Sequence, residues 1–278
     1  MSKLATFLAV FRGRKLATIG LIWLCIVAIA AIAAPLISPF DPLEIDPIAR
    51  LSEPGMPYLF GTDHFGRDTF SRAIYGARMA VIIGVGSVVV ALTTGGLIGM
   101  LSAYFTRLGN VLMRGIDVLM SFPALLLALV LMTLLERSVT NTIIVIGIVY
   151  ATTTARILFG MTLKLKGEVF VDAAVCSGAG HASILFRHIL PNALVPSITF
   201  FPFALVGAIF VLSALDFLGF GLPSSSPSLG EMTLQAKQNL QAPWLAFTAF
   251  FTFAIMLSLL VFIFEGVRDA FDPRKTFS

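Results

Sequence analysis

Charge is what this sequence has least of. Only 12% of its 278 residues are Asp, Glu, Lys or Arg, about half the share with which a soluble domain covers its surface. That shortage argues against a soluble enzyme. Disorder is excluded too, because 58% of the residues are hydrophobic and 25 are Phe, the opposite of a solvated coil. Cysteine is nearly absent: Cys25 and Cys176 lie in segments with no reason to meet, so no disulfide framework is implied. The three histidines, His64, His181 and His188, fall in different segments, which leaves no metal-ligand set with convergent spacing. None of the six lysines follows a glycine, so the phosphate loop G-x-x-x-x-G-K-[ST] is missing, as is a G-x-S-x-G nucleophile elbow.

What is present is six long runs without a single charge: 16–40, 79–106, 118–135, 138–155, 188–215 and 238–264. A helix needs about 20 apolar residues to cross a hydrocarbon core of about 30 Å, and a charge at its centre costs roughly 2.5–3.5 kcal/mol. The runs therefore predict an all-α polytopic membrane protein with spans near 16–37, 80–103, 118–135, 138–155, 193–215 and 245–264. The stretch 217–230 is also uncharged but rich in Gly, Pro and Ser, and reads as a loop. Residues 16–37 exceed the 7–15-residue core of a cleavable signal and five runs follow, so the first helix is expected to be retained. Charge-free spans also lack the carriers of a proton relay, which disfavours a secondary carrier or autonomous channel.

Alternating sides from an inner N-terminus places 13 of the 19 basic residues and 6 of the 15 acidic ones inside. The net charges become +7 inside and −3 outside, so the positive-inside rule predicts both termini in the cytoplasm and a multi-pass location in the plasma (inner) membrane. The basic surplus is then a topology signal, and no nucleic-acid partner is expected. Residues 1–15 carry Leu4, Phe7, Leu8 and Phe11 at helical spacing among basic residues, which suits an inner interfacial segment ahead of a transmembrane domain over 16–278.

Within the second run Ser87, Ala91, Gly95, Gly99 and Ala103 recur every fourth residue. Such a stripe admits a close helix neighbour, internal or on a partner subunit. In the fifth run Pro196 and Pro202 predict a bend. The inner connection 156–192 contains Asp172-Ala173-Ala174, Gly178 and Leu190-Pro191. This reads as a short helix, a turn or close approach at Gly178, and a helix start at Pro191. Two large outer connections, 38–78 and 216–243, share a face and offer a docking surface.

The pattern Asp172-Ala173-Ala174-x-x-x-Gly178, with His188 and Leu190-Pro191 beyond it, resembles the EAA loop of ABC-importer permease subunits. Leu59–Asp68 with Ser71-Arg72 and Gly76-Ala77-Arg78, the stretch Phe217–Pro223, and Arg268–Arg274 resemble signatures of the dipeptide/oligopeptide/nickel branch. The stretch from Arg187 through Glu231 to Trp244 is especially similar to the subunit of peptide importers that also admit microcin C. Asp172 stands where the pattern has Glu, and His188 where it has Ile. The resemblance implies a permease subunit that forms half of a pathway with a second, related permease. It also implies two ATPase subunits on the inner loops, which would bind the ATP, and an extracytoplasmic solute-binding protein on the outer face; no cofactor or metal is implied for this chain itself. By the same resemblance 172–187 is a coupling helix, and Gly61, Thr62, Asp63, Gly66, Arg67 and Asp68 belong to an outer gate or binding-protein contact. The alternative for these residues, compatible with the first, is a self-satisfied turn in which Arg67 pairs with a carboxylate. Peptides are the expected cargo, with nickel or another small solute as the runner-up.

Overall fold

The computed structural model describes residues 33–197 and 200–271; the expected interfacial segment and most of the first span fall outside them. Among the described residues the regular structure is helical, apart from one isolated bridge between Thr62 and Asp68. A short helix α1 (Ala34–Ile37) leads into an irregular stretch carrying a 3-10 turn, Pro47–Ala49. The helices α2 (Thr69–Tyr104), α3 (Thr106–Met120), α4 (Ala124–Thr133) and α5 (Val139–Lys166) follow. Then come α6 (Val169–Cys176), α7 (His181–Ser183), a π-helical turn (Ile184–Ile189) and α8 (Leu190–Ser197). The chain closes with α9 (Phe201–Phe217), α10 (Leu229–Gln238) and α11 (Pro243–Phe271).

Three described helices are long and apolar enough to cross a membrane: Thr69–Tyr104, Val139–Lys166 and Pro243–Val261. They coincide with the expected second, fourth and sixth spans. The third expected span, 118–135, is corrected. Its apolar run is divided between the last turn of α3 and α4, which meet at 92°. Pro123 is the cause: a residue before proline is driven out of the α region, so the helix cannot continue through Phe122. The ten residues of α4 rise about 15 Å, half of a hydrocarbon core. Upstream, α3 is amphipathic: Met113 and Ile116 pack against Ala155, with Ile98 and Phe159 beside them, while Asp117 forms an ion pair with Arg156. The fifth span is likewise two pieces, α8 and α9. Pro202 sits at the second position of α9, where its missing N–H has no intrahelical partner to lose.

The contacts divide the chain into two units, one of 1–83, 137–139 and 212–278, the other of 84–136 and 140–211. In the second unit the small-residue stripe finds its neighbour within this chain. A Cβ on Gly95 would come within 2.2 Å of the Ala151 carbonyl, and one on Gly99 within 2.2 Å of that of Ala155. Ser87, Ala91 and Ala103 are buried along the same face. Helix α5 answers with Gly147, whose own Cβ position is 2.6 Å from Val90. The two backbones touch because side chains have been removed from the contact, which is how dispersion drives association where lipid tails offer no hydrophobic gain.

Candidate functional site

Two constellations hold the residues singled out by the sequence. The first, in the 1–83/212–278 unit, begins with a tight turn. Asp63 accepts the N–H of Phe65 at 2.8 Å and of Arg67 at 3.0 Å on Oδ1, an Asx turn. Gly66 has φ +79°, and any Cβ there would lie 1.8 Å from the Asp46 carbonyl, so only glycine fits. Gly61, at φ +71°, lies under Trp244, whose indole Nε1–H donates to the Thr62 carbonyl at 3.0 Å. Asp68 then caps α2 by accepting the N–H and hydroxyl of Ser71 at 2.8 and 2.6 Å.

On this frame four charges meet. Arg67 Nε donates to Asp63 Oδ2 at 2.7 Å and its Nη2 to Glu231 Oε1 at 3.3 Å. Arg72 Nη2 donates to Glu231 Oε2 at 2.8 Å, its Nη1 to the Pro42 carbonyl at 3.1 Å, and its Nε lies 3.6 Å from Asp63. Arg72 is fully buried and Arg67 and Asp63 nearly so. Two cations face two anions, the only balance that makes such burial tolerable. Glu231 reaches them from the first turn of α10, which Ser228 caps. Ser228 in turn donates to Asp216 Oδ2, and Asp216 Oδ1 accepts the Leu222 N–H at 2.6 Å. Asp216 is buried, and these two hydrogen bonds occupy both of its carboxylate oxygens.

Arg67 is thus paired, and Gly61, Thr62, Asp63, Gly66, Arg67 and Asp68 are all buried. The surface over them is made by neighbours that the sequence did not single out for a role: Met56 is 89% exposed and Ile48 97%, with Leu59, Phe60 and Phe65 also exposed. The structure brings the 38–78 and 216–243 segments together through Arg67, Arg72 and Glu231. Glu231, Asp216 and Trp244 were missed as site residues. The S-x-x-E spacing at Ser228–Glu231 is a helix-start signal in the sequence, but nothing in one dimension says that its carboxylate is used 159 residues away.

The second constellation is the 156–192 segment. Helix α5 continues to Lys166 before the chain turns. The expected single helix over 172–187 is corrected: α6 ends at Cys176, and Gly178, φ +77°, closes it with Ala179 N–H donating to Ala174 at 3.0 Å and Gly178 N–H to Val175 at 2.9 Å. This is a Schellman stop. No atom lies within 4 Å of a Cβ built on Gly178, so the glycine serves the turn and not a close approach. The helix α8 begins at Leu190, with the expected Pro191 in its first turn, but it continues a helical path already under way. The helical path runs from His181 to Ser197 with Pro191 inside it. The π turn Ile184–Ile189, which holds His188, precedes the proline and relieves the clash of its ring with the carbonyl four residues back. Asp172, Ala173 and Gly178 are exposed and Ala174 half-buried; His188 and Leu190 are half-buried and Pro191 exposed. Around them Val169 (81%), Val175, Phe170 and Phe186 also present apolar surface.

With these geometries in place, known proteins give them a context. Residues 95–277 match the sequence profile of binding-protein-dependent transport system inner membrane components. Residues 2–54 match that of the N-terminal transmembrane domain of oligopeptide transport permease C. The chain is 38% identical over 268 residues to a dipeptide transport system permease protein of Alkalihalophilus pseudofirmus, covering 95% of this chain and 87% of that one. It is 44% identical over 221 residues to a peptidoglycan transport system permease protein of Agrobacterium fabrum, covering 78% of this chain and 57% of that one. It is also 40% identical over 227 residues to an inner membrane ABC transporter permease protein of Escherichia coli, covering 81% of this chain and 66% of that one. The chain thus spans less than two thirds of the latter two relatives and most of the first. A helical protein with apolar membrane-length helices, matched by that profile over most of its length, belongs to the family of binding-protein-dependent transport system inner membrane components and is an ABC transporter permease subunit.

Proposed function

We propose that the chain is half of the pathway of an ATP-driven peptide importer and that it takes its energy through the 156–192 segment. The observation that carries this is the exposed apolar and small-residue surface of α6 and the turn at Gly178. A contiguous apolar patch next to charged residues marks a protein contact, and here it sits between basic Lys164-x-Lys166 and Arg187, on the side where the positive-inside rule puts the cytoplasm. An ATPase subunit is the partner that such a permease needs there. A second permease completes the pathway, and six spans with both termini inside make the topology, the bent pair α3–α4 together serving as the third and α8 and α9 together as the fifth. The same charge rule makes 38–78 and 216–243, the segments that carry the buried network Asp63–Arg67–Arg72–Glu231, extracytoplasmic connections. Its role is to hold the exposed residues Ile48, Met56, Leu59, Phe60 and Phe65 as a firm landing surface for the solute-binding protein. Relatives named for peptides, dipeptides and peptidoglycan favour a peptide or peptide-like cargo over nickel.

Affinity purification of the tagged chain from its own membranes tests the assembly: two ATPases and a second permease should come with it. Recovery of the chain alone, active in solute flux, refutes the proposal. Mass spectrometry of what the cognate binding protein retains tests the cargo. A peptide supports it, and a nickel ion overturns it.

A further inference from the structure

The last residue of α2, Tyr104, is held by three separate stretches of the 84–136/140–211 unit. Its hydroxyl is hydrogen-bonded to His181 Nδ1 at 2.7 Å, and the two rings meet edge to face with centroids 5.5 Å apart. Its carbonyl, one of those left over at the end of α2, accepts from Lys166 Nζ at 2.9 Å, and the same ammonium lies 5.4 Å from the Tyr104 ring centroid. The body of the ring packs against the buried cluster Val171, Ile184 and Ile189, together with Leu165, Ala174 and Ala179. That cluster is the apolar underside of α6 and the π turn, the same elements whose other face is exposed. One side chain therefore joins the end of α2, the end of α5 and both sides of the Gly178 turn.

We infer that Tyr104 is a positioning residue for energy coupling: it locks the α6–α7 segment to α2, so that displacement of the segment is passed to that helix and not lost at the Gly178 turn. One hydrogen bond shifts an equilibrium by roughly fivefold to tenfold, and here it fixes the ring against α7. A residue that shares a buried cluster, a ring contact and two polar ties has few alternative arrangements, as a transmitting element requires. The inference rests on the proposed ATPase contact and adds the residue through which that contact acts.

The test uses the complete importer in proteoliposomes, with the binding protein carrying the peptide it retains on purification. A Cys25→Ser background leaves Cys176, which is exposed at the end of α6, as the one site for a thiol cross-link to the ATPase. Tyr104→Phe and His181→Ala should each lower binding-protein stimulation of ATP hydrolysis about fivefold to tenfold, with the double variant no worse than either single, as expected for residues acting as a pair. The Cys176 cross-link yield should stay at the parent value, and His181→Asn, which can place a hydrogen-bonding atom near that of Nδ1, should restore stimulation. Parent-level stimulation in both single variants overturns the inference, as do additive losses or a cross-link yield that falls in step with stimulation. Absence of the cross-link in the parent would instead overturn the ATPase contact itself.

Discussion

Glu231→Gln removes one charge from the buried quartet while keeping the shape of the side chain. In the parent, Asp63 and Glu231 balance Arg67 and Arg72; in the variant two guanidinium groups share one carboxylate. Breaking a buried pair costs about 3–5 kcal/mol, and since the Glu231 side chain is 22% exposed, the lower end applies. About 3 kcal/mol corresponds to roughly a hundredfold rise in the opened population of the 38–78 segment. Limited trypsin digestion in detergent reads this directly, because Arg67 and Arg72 are buried cleavage sites while Arg50 in the same segment is exposed and serves as the internal reference. Cleavage after Arg67 and Arg72 should accelerate by that factor relative to Arg50, as long as opening and closing are fast against cleavage. The double variant Arg72→Met/Glu231→Leu, which leaves Arg67 and Asp63 as a balanced pair, should recover most of the protection. Cleavage ratios within twofold of the parent in Glu231→Gln would refute the view that this network holds the segment.

Gly66→Ala should abolish the protected form of the same segment, since the added Cβ meets the Asp46 carbonyl at 1.8 Å in a left-handed conformation; membrane yield and the same digestion check it. Gly95→Leu should separate α2 from α5 and cost several kcal/mol of stability, as overpacking at a backbone contact does, seen as a lowered midpoint of thermal aggregation in detergent. Gly178→Arg, with a side chain forced to φ +77°, should insert in the membrane at parent levels and lose transport.

The family signatures and the membrane class were legible in one dimension because the bilayer filters composition. A charge inside the hydrocarbon is costly wherever the chain goes next, so gaps between charges mark helices before any packing is known. The stripe Ser87, Ala91, Gly95, Gly99 was visible for the same kind of reason, as a period that matches a helix face, and Gly178 as a residue that permits a left-handed turn. Where run length was allowed to stand for a straight span, Pro123 overrode it at 118–135.

Local chemistry in the sequence thus determined which segments are apolar helices, where glycine must turn the chain, and which stretches carry family motifs. Tertiary structure alone decided that the small-residue stripe faces α5, that Glu231 answers Arg67 and Arg72, and that Tyr104 meets His181 and the cluster under α6. These last pairings join residues 77 to 164 positions apart, and a hydrogen bond or ion pair depends on distance in space, a quantity that no local pattern of residue types encodes.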